Sequence, residues 1–346
     1  MVPRPNLPRQ PCNLCGLIQE ILVFLPMEML AFGNTGMKVS RLGLGAAEIG
    51  FENATDTAVN SLLGQAIDMG LNVIDTAECY ADSEEKIGRA LGSKRKECLL
   101  FTKCGHAEAP RPAGLFVRGC RKFWRPIARA AGWALPDWHP RLLEQSIERS
   151  LRRLRTDWVD LIQLHSCSEQ VLRKGDVVDV LRRTRQAGKA RHIGYSGDGQ
   201  AALFAVQSGQ FDTLQTSLNI ADQEALDLTL PIARQQGLGV IVKRPIANAV
   251  WRNTSRPDNS YHHVYWDRLQ ELRYDFLRDE HRAVNIALRF TLSVPGVHTA
   301  IVGTTRPEHW RKNAETVAAG TLDAHQFEMI RGLWKRVARA DWAGQE

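Results

Sequence analysis

Eight short apolar runs, separated by amphipathic stretches, constrain this chain more than anything else in it. They are RLGLGA (41–46), LNVID (71–75), CLLFTK (98–103), WVDLIQLH (158–165), ARHIGYS (190–196), FDTLQTS (211–217), LGVIVK (238–243) and TAIVG (299–303). The runs are apolar on both faces, as parallel strands must be when helices cover them. Helical patterns fill the intervals. One over 57–70 has Val59, Leu62, Leu63, Ala66 and Ile67 at helical spacing, and one over 83–92 is opened by Ser83 and closed by Gly92. Others cover Leu143–Leu154, Val171–Gln186, 200–207, 222–236 and the stretch after Pro307. Alternation of this kind, repeated eight times, predicts an α/β fold of the (β/α)8 TIM-barrel type. A doubly wound sheet is the rival that length and pattern permit.

A barrel brings the C-terminal ends of its strands to one rim, where polar residues read as catalytic. Asp75, Lys103 and His165 close three consecutive runs, and Tyr80 sits in the loop after the first of these. An acid, a phenol, an ammonium and an imidazole are the parts for moving a proton onto a carbonyl oxygen. A phenol with an ordinary pKa near 10 is too weak an acid at neutral pH, and a nearby ammonium is expected to lower it. The ammonium in turn needs a carboxylate, and a neutral imidazole can hydrogen-bond the substrate oxygen. Tyr80, Lys103, Asp75 and His165 fill these roles in that order. Two insertions, 104–140 with Trp124, Trp133 and Trp138, and 246–280 with Trp251, Tyr261, His262, His263, Tyr265 and Trp266, are expected to overhang the rim and shape a substrate pocket.

The bulk properties exclude several classes. No run of 18 or more apolar residues occurs, so no membrane span is expected. The net charge of +7 is local: residues 111–155 carry 11 Lys/Arg against 3 Asp/Glu, and the remainder is close to neutral. One basic patch suits an anionic cofactor or substrate better than a nucleic acid, and a solvated helix face and loop is its plain alternative. Seven scattered cysteines form no disulfide framework, which points to a reducing cytoplasm. Cys12 and Cys15 lack the second pair that a zinc site needs, so no metal is expected. Residues 1–28 read as an extension, or an early start, ahead of a single barrel domain over 29–346, with the ordered fold beginning around Phe32. A signal peptide is disfavoured because Glu20 interrupts its apolar core.

The segments FGNTGMKVSRLGLG, VIDTAECYADSEEKIGRAL, LFTKCG, SLRRLRTDWVDLIQLH, ARHIGYS and AIVGTTRPEHWRKNAE together resemble an aldo-keto reductase, from Phe32 to about Gly320. The resemblance implies NADPH-dependent reduction of a small-molecule aldehyde or ketone, and a tetrad that falls on Asp75, Tyr80, Lys103 and His165. It implies that Gly45, Ser196, Gly197 and Gln215 lie at the nicotinamide, and that Lys243, Arg244, Pro245, Ile246 and Ala247 form the pyrophosphate loop. Gly303, Thr304, Thr305, Arg306, His309 and Asn313 are then the adenosine end. Hydroxyls, an Arg and a helix N-terminus suit a 2′-phosphate, which favours NADPH over NADH. No G-x-G-x-x-G opens a helix; GLGAAE (43–48) lacks the third Gly, so a Rossmann site is not supported. The chain departs from the family at Gly197, where Asn is usual, at Leu218, where an aromatic is common, and at Ala81, where Gly is usual. A cofactor-binding sensor with little turnover is the alternative to an enzyme.

Overall fold

The computed structural model describes residues 27–106 and 138–345. Most of the basic stretch, with Trp124 and Trp133, and all but the last two residues of the expected extension lie outside the described residues. All eight expected strands form: β3 (Leu42–Gly45), β4 (Val73–Asp75), β5 (Leu99–Cys104), β6 (Val159–His165), β7 (Ala190–Ser196), β8 (Thr213–Ser217), β9 (Gly239–Lys243) and β10 (Thr299–Gly303). They pair in parallel, in chain order, and β10 closes on β3 through Ala300↔Leu42 to Gly303↔Gly45. The barrel is thus the (β/α)8 type, and the doubly wound alternative is excluded.

The fold starts earlier than Phe32. Strand β1 (Met29–Ala31) pairs antiparallel with β2 (Lys38–Ser40), and the hairpin between them places Phe32 in the floor of the barrel. There Phe32 stacks on Phe101 at 5.9 Å between ring centroids, within a cluster that includes Val73, Leu161, Ile241 and Ile301. Gly33, at φ +52, rests directly on the backbone of residues 237–239, where any side chain would collide. The hairpin was unreadable in the sequence because two three-residue strands carry almost no alternation.

The helices that flank the barrel bury one apolar stripe against it. The helix Asp56–Asp68 covers Val59, Leu62, Leu63 and Ala66, and Thr55 caps it by accepting from the Ala58 N–H at 3.2 Å. The helix Pro140–Leu154 buries Leu143, Ile147, Leu151 and Leu154, each contributing roughly 1.5–3 kcal/mol. Two expected helices are broken. Val171–Gln186 divides into Glu169–Leu172 and Asp176–Gln186 at Gly175, which sits at φ +82. Residues 222–236 divide into Glu224–Leu228 and Leu230–Gln235, since Pro231 has no N–H to continue the ladder. The helix Ser83–Leu91 is not capped by Ser83: its hydroxyl donates to the Ala46 carbonyl at 2.7 Å and meets Thr76 Oγ1 at 3.0 Å, tying this helix to the exit of β3. Helices Glu280–Ser293 and Ala324–Val337 were not anticipated. They form a second core with Tyr265, Phe276, Trp334 and Trp342. Among the described residues, no helix is long and apolar enough to cross a membrane.

Candidate active site

The register of the barrel puts Gly45 beside Asp75, and His165 beside Ser196, which pairs in turn with Gln215. Their side chains, or those of the loops just beyond, line a cleft of about 1510 Å³ at the C-terminal rim. Pockets for a single drug-sized ligand hold roughly 300–1,000 Å³, so this cleft has room for more than one small molecule. Asp75, Tyr80 and His165 line it, while Lys103 lies buried behind them. Of the residues placed at the cofactor by resemblance, Gly45, Ser196, Gln215, Lys243, Arg244, Pro245, Ile246, Gly303, Thr304, Thr305, Arg306, His309 and Asn313 line the same cleft; Gly197 and Ala247 do not.

Lys103 uses all three of its N–H donors. It forms an ion pair with Asp75, donates to the Thr76 carbonyl at 2.9 Å, and reaches the Tyr80 hydroxyl at 3.5 Å. Burial works against its charge, yet the Asp75 carboxylate holds the ammonium above its ordinary range. Gln163 Nε2 approaches the other Asp75 oxygen at 3.4 Å.

The expected lowering of Tyr80 is overturned. Burial pushes the phenol up to about 12, and the opposing pull of Lys103, partly offset by Asp75, does not cancel it. The phenol therefore stays protonated across the neutral range. His165 is held well below its ordinary value by burial first, then by Lys103 and His106, so its imidazole is neutral. Its ring stands edge-on to Tyr80 at 5.9 Å, and its Nδ1 lies 3.6 Å from Cys79 Sγ.

The loop that carries Tyr80 is fixed from several sides. Glu78 accepts from the N–H groups of Gly105 and His106 at 2.9 and 3.1 Å and pairs with Arg149 at 3.2 Å. Gly50 passes so close to the Tyr80 carbonyl that a Cβ there would lie 2.0 Å from it. Ala81 takes φ +49, a left-handed conformation that suits glycine and explains why the family places Gly there.

Opposite, Ser196 donates to Gln215 Oε1 at 2.6 Å, while the buried Gln215 Nε2 approaches the Asp75 carboxylate and helps hold its charge without closing a full hydrogen bond. A Cβ at Gly197 would lie 2.6 Å from the Tyr195 hydroxyl, so the ring of Tyr195 excludes the usual Asn. Leu218 is buried in the main core and offers no stacking face to the cleft. The loop leaving β9 holds four non-glycine residues at positive φ, Arg244, Ala247, Asn248 and Ala249, a strained path of the kind found at ligand clamps.

Sequence reasoning missed the residue that organises this loop. Asp198 accepts from Thr216 Oγ1 at 2.7 Å and from the Ser217 N–H at 2.6 Å, and pairs with Lys243 at 2.9 Å and Arg244 at 3.8 Å. An acid two residues past the end of β7, inside a Gly-rich turn, was the available signal. Arg244 also donates to Ser217 Oγ, Tyr261 Oη and the Gln345 carbonyl. The second insertion only partly overhangs the cleft. Tyr261 and His262 line it, but Tyr265 is buried, and Trp251 and Trp266 pack on the second core. At the other insertion, Trp138 lies over Gly105 and meets His106 edge-on at 6.0 Å.

Beneath Asp198 lies Asp222, fully buried, accepting from the Tyr265 hydroxyl at 3.0 Å with Arg268 at 3.9 Å. Burial, then the neighbouring Asp198, pushes its carboxyl up to about 7. A carboxyl raised in the folded state contributes stability below its unfolded pKa, and loses that contribution as pH rises through the folded value. Thermal melts should accordingly fall between pH 5 and 8 in the native protein. The Asp222→Asn protein should melt with a flatter profile and gain on the order of 4 kcal/mol relative to it at pH 8. Parallel profiles for the two proteins would remove Asp222 from this account.

Comparison with known proteins assigns the chain to one family. The aldo/keto reductase family model matches residues 41–335. The chain is 28% identical over 331 residues to the D-threo-aldose 1-dehydrogenase of a Pseudomonas species, covering 90% of this chain and 96% of that one. It is 26% identical over 325 residues to the NADH-specific methylglyoxal reductase of Escherichia coli, covering 86% and 96%. An aldo/keto reductase from Klebsiella pneumoniae, solved in complex with NADP and acetate, superposes with a TM-score of 0.67 at 22% identity, covering 91% of this chain and 98% of that one. The chain belongs to the aldo/keto reductase family and is an oxidoreductase.

Proposed function

We propose that this protein reduces the carbonyl of a small aldehyde or ketone to an alcohol, with NADPH as the donor and Tyr80 as the source of the proton. One observation carries the reading: the Tyr80 phenol and a neutral His165 line one cleft, with the charged Lys103 directly behind the phenol. Across the cleft the Ser196 and Gln215 side chains, joined at 2.6 Å, form a polar pair whose chemistry suits a carboxamide. Thr304, Thr305 and Arg306, at the start of the helix Pro307–Ala318, suit the adenosine end. The bound dinucleotide supplies the hydride.

The residues of the chain do the rest. His165 donates a hydrogen bond to the substrate oxygen and orients it. As negative charge grows on that oxygen, the Tyr80 phenol hands over its proton. Lys103, kept charged by Asp75, takes up the phenolate charge that remains, and solvent returns the proton. Phe51 packs edge-on against Tyr80 at 5.7 Å and lines the same cleft. Relatives named for NADH and for an NADP complex both support a nicotinamide nucleotide; Arg306, at the N-terminus of the helix Pro307–Ala318, favours the phosphorylated form.

The test is loss of NADPH absorbance on mixing with a panel of aldehydes, ketones and sugars. Turnover with at least one carbonyl compound is expected. Nucleotide binding with no oxidation across the panel would favour the sensor reading instead.

A further inference from the structure

The helix Ala47–Phe51 leaves the end of β3 and carries Glu48, with Glu52 one turn further at its C-cap. Residues four apart share one side of a helix, and here that side faces the exit of β10. Glu52 Oε2 accepts the hydroxyl proton of Thr305 at 2.8 Å. The Glu48 carboxylate lies against Gly303, where a Cβ would come within 1.9 Å of its oxygen. Both acids line the same cleft as Thr304, Thr305 and Arg306.

This placement sets two demands against each other. A hydroxyl has a single proton to donate, and Thr305 already gives it to a carboxylate. A phosphate arriving there would lose that donor and meet a second anion at short range. A ribose hydroxyl in the same place could donate to Glu52 and would meet no repulsion. Arg306 pulls the other way, since its guanidinium favours a phosphate.

We infer that Glu52 is a specificity-determining residue: it weakens binding of the 2′-phosphate that Arg306 and its neighbours attract, so that the protein discriminates only narrowly between the phosphorylated and unphosphorylated dinucleotide. The inference rests on the proposed placement of the adenosine end at residues 303–306. Glu48 reinforces it by placing a second acid against Gly303 from the same helix.

The probes are 2′,5′-ADP and 5′-ADP, titrated by calorimetry against the native protein and Glu52→Gln. Glu52 is exposed, and Gln keeps its length, so the variant should melt with the native protein. Glu52→Gln should tighten 2′,5′-ADP five- to twenty-fold and leave 5′-ADP within two-fold. The gain should shrink at 0.5 M salt, because the opposing charges are open to solvent. A Thr305→Val protein, which keeps the carboxylate and loses the hydroxyl, should show no such gain. Equal shifts for both nucleotides in Glu52→Gln, or none, would overturn the inference while leaving the cofactor reading intact. If neither nucleotide binds the native protein, the placement of the adenosine end falls, and the inference falls with it.

Discussion

Replacing Tyr80 with Phe should lower kcat by about 10³-fold or more while leaving NADPH affinity within two- to three-fold. General acid catalysis by a positioned side chain contributes roughly 10²–10⁴, and Tyr80 is the acid placed to provide it. The substitution is clean because the ring can keep its edge-on contacts to Phe51 at 5.7 Å and to His165 at 5.9 Å. Lys103 loses only its longest partner and retains Asp75 and the Thr76 carbonyl. Truncating Lys103 is a poorer experiment, since it strands a buried carboxylate at a cost of about 3–5 kcal/mol. The pH profile provides a second check. With the phenol pushed up to about 12 and His165 held far below its usual value, neither group titrates near neutrality. The native kcat should stay level between about pH 6.5 and 9. A Tyr80→Phe protein that keeps more than a tenth of native kcat would show that the proton comes from elsewhere.

The barrel and its rim were legible because each depends on a short-range rule. Apolar runs bounded by helices give parallel strands, and a polar residue that ends such a run must stand at the rim. Asp75, Lys103 and His165 follow from that rule alone, and Tyr80 follows from its neighbour in the chain. What stayed hidden depends on encounters between distant segments. Thr305 and Glu52 are 253 residues apart, and meet only because β10 closes on β3. Asp198 and Lys243 meet because β7, β8 and β9 lie side by side. The direction of the Tyr80 shift was misread for a related reason. The charge of Lys103 is visible in a sequence, whereas burial of the phenol is not, and burial is the larger effect here. The aromatic insertion at 246–280 was misjudged in part because spacing cannot tell a tryptophan that lines a cleft from one that packs on a second core.

Asp198→Ala should be the most damaging substitution outside the tetrad, costing about 3–5 kcal/mol of stability and at least ten-fold in dinucleotide affinity. Its carboxylate is buried, which alone would raise its pKa. Lys243, the Ser217 N–H and Arg244 outweigh that and hold it below the usual carboxylate range. A depressed carboxyl contributes stability above its unfolded pKa and loses it only as pH falls through the lower folded value, so Asp198 acts in full at neutral pH. Removing it leaves the nearly buried Lys243 ammonium without its carboxylate and frees Arg244 from one of the groups that shape the strained path at 244–249. Gly344 lies close enough that a Cβ there would come within 2.4 Å of Asp198 Cβ, so the C-terminal segment would lose part of this neighbour as well. Asp198→Asn separates the two effects. The amide oxygen can still accept from Thr216 and Ser217, so part of the stability should return, while the loss of charge beside Lys243 and Arg244 persists. Thermal melts should therefore rank native above Asn above Ala, and NADPH fluorescence titration should place both variants well below native. A melt for Asp198→Ala within 2 °C of native would mean that Lys243 finds another counter-charge, and that this carboxylate does not hold the loop.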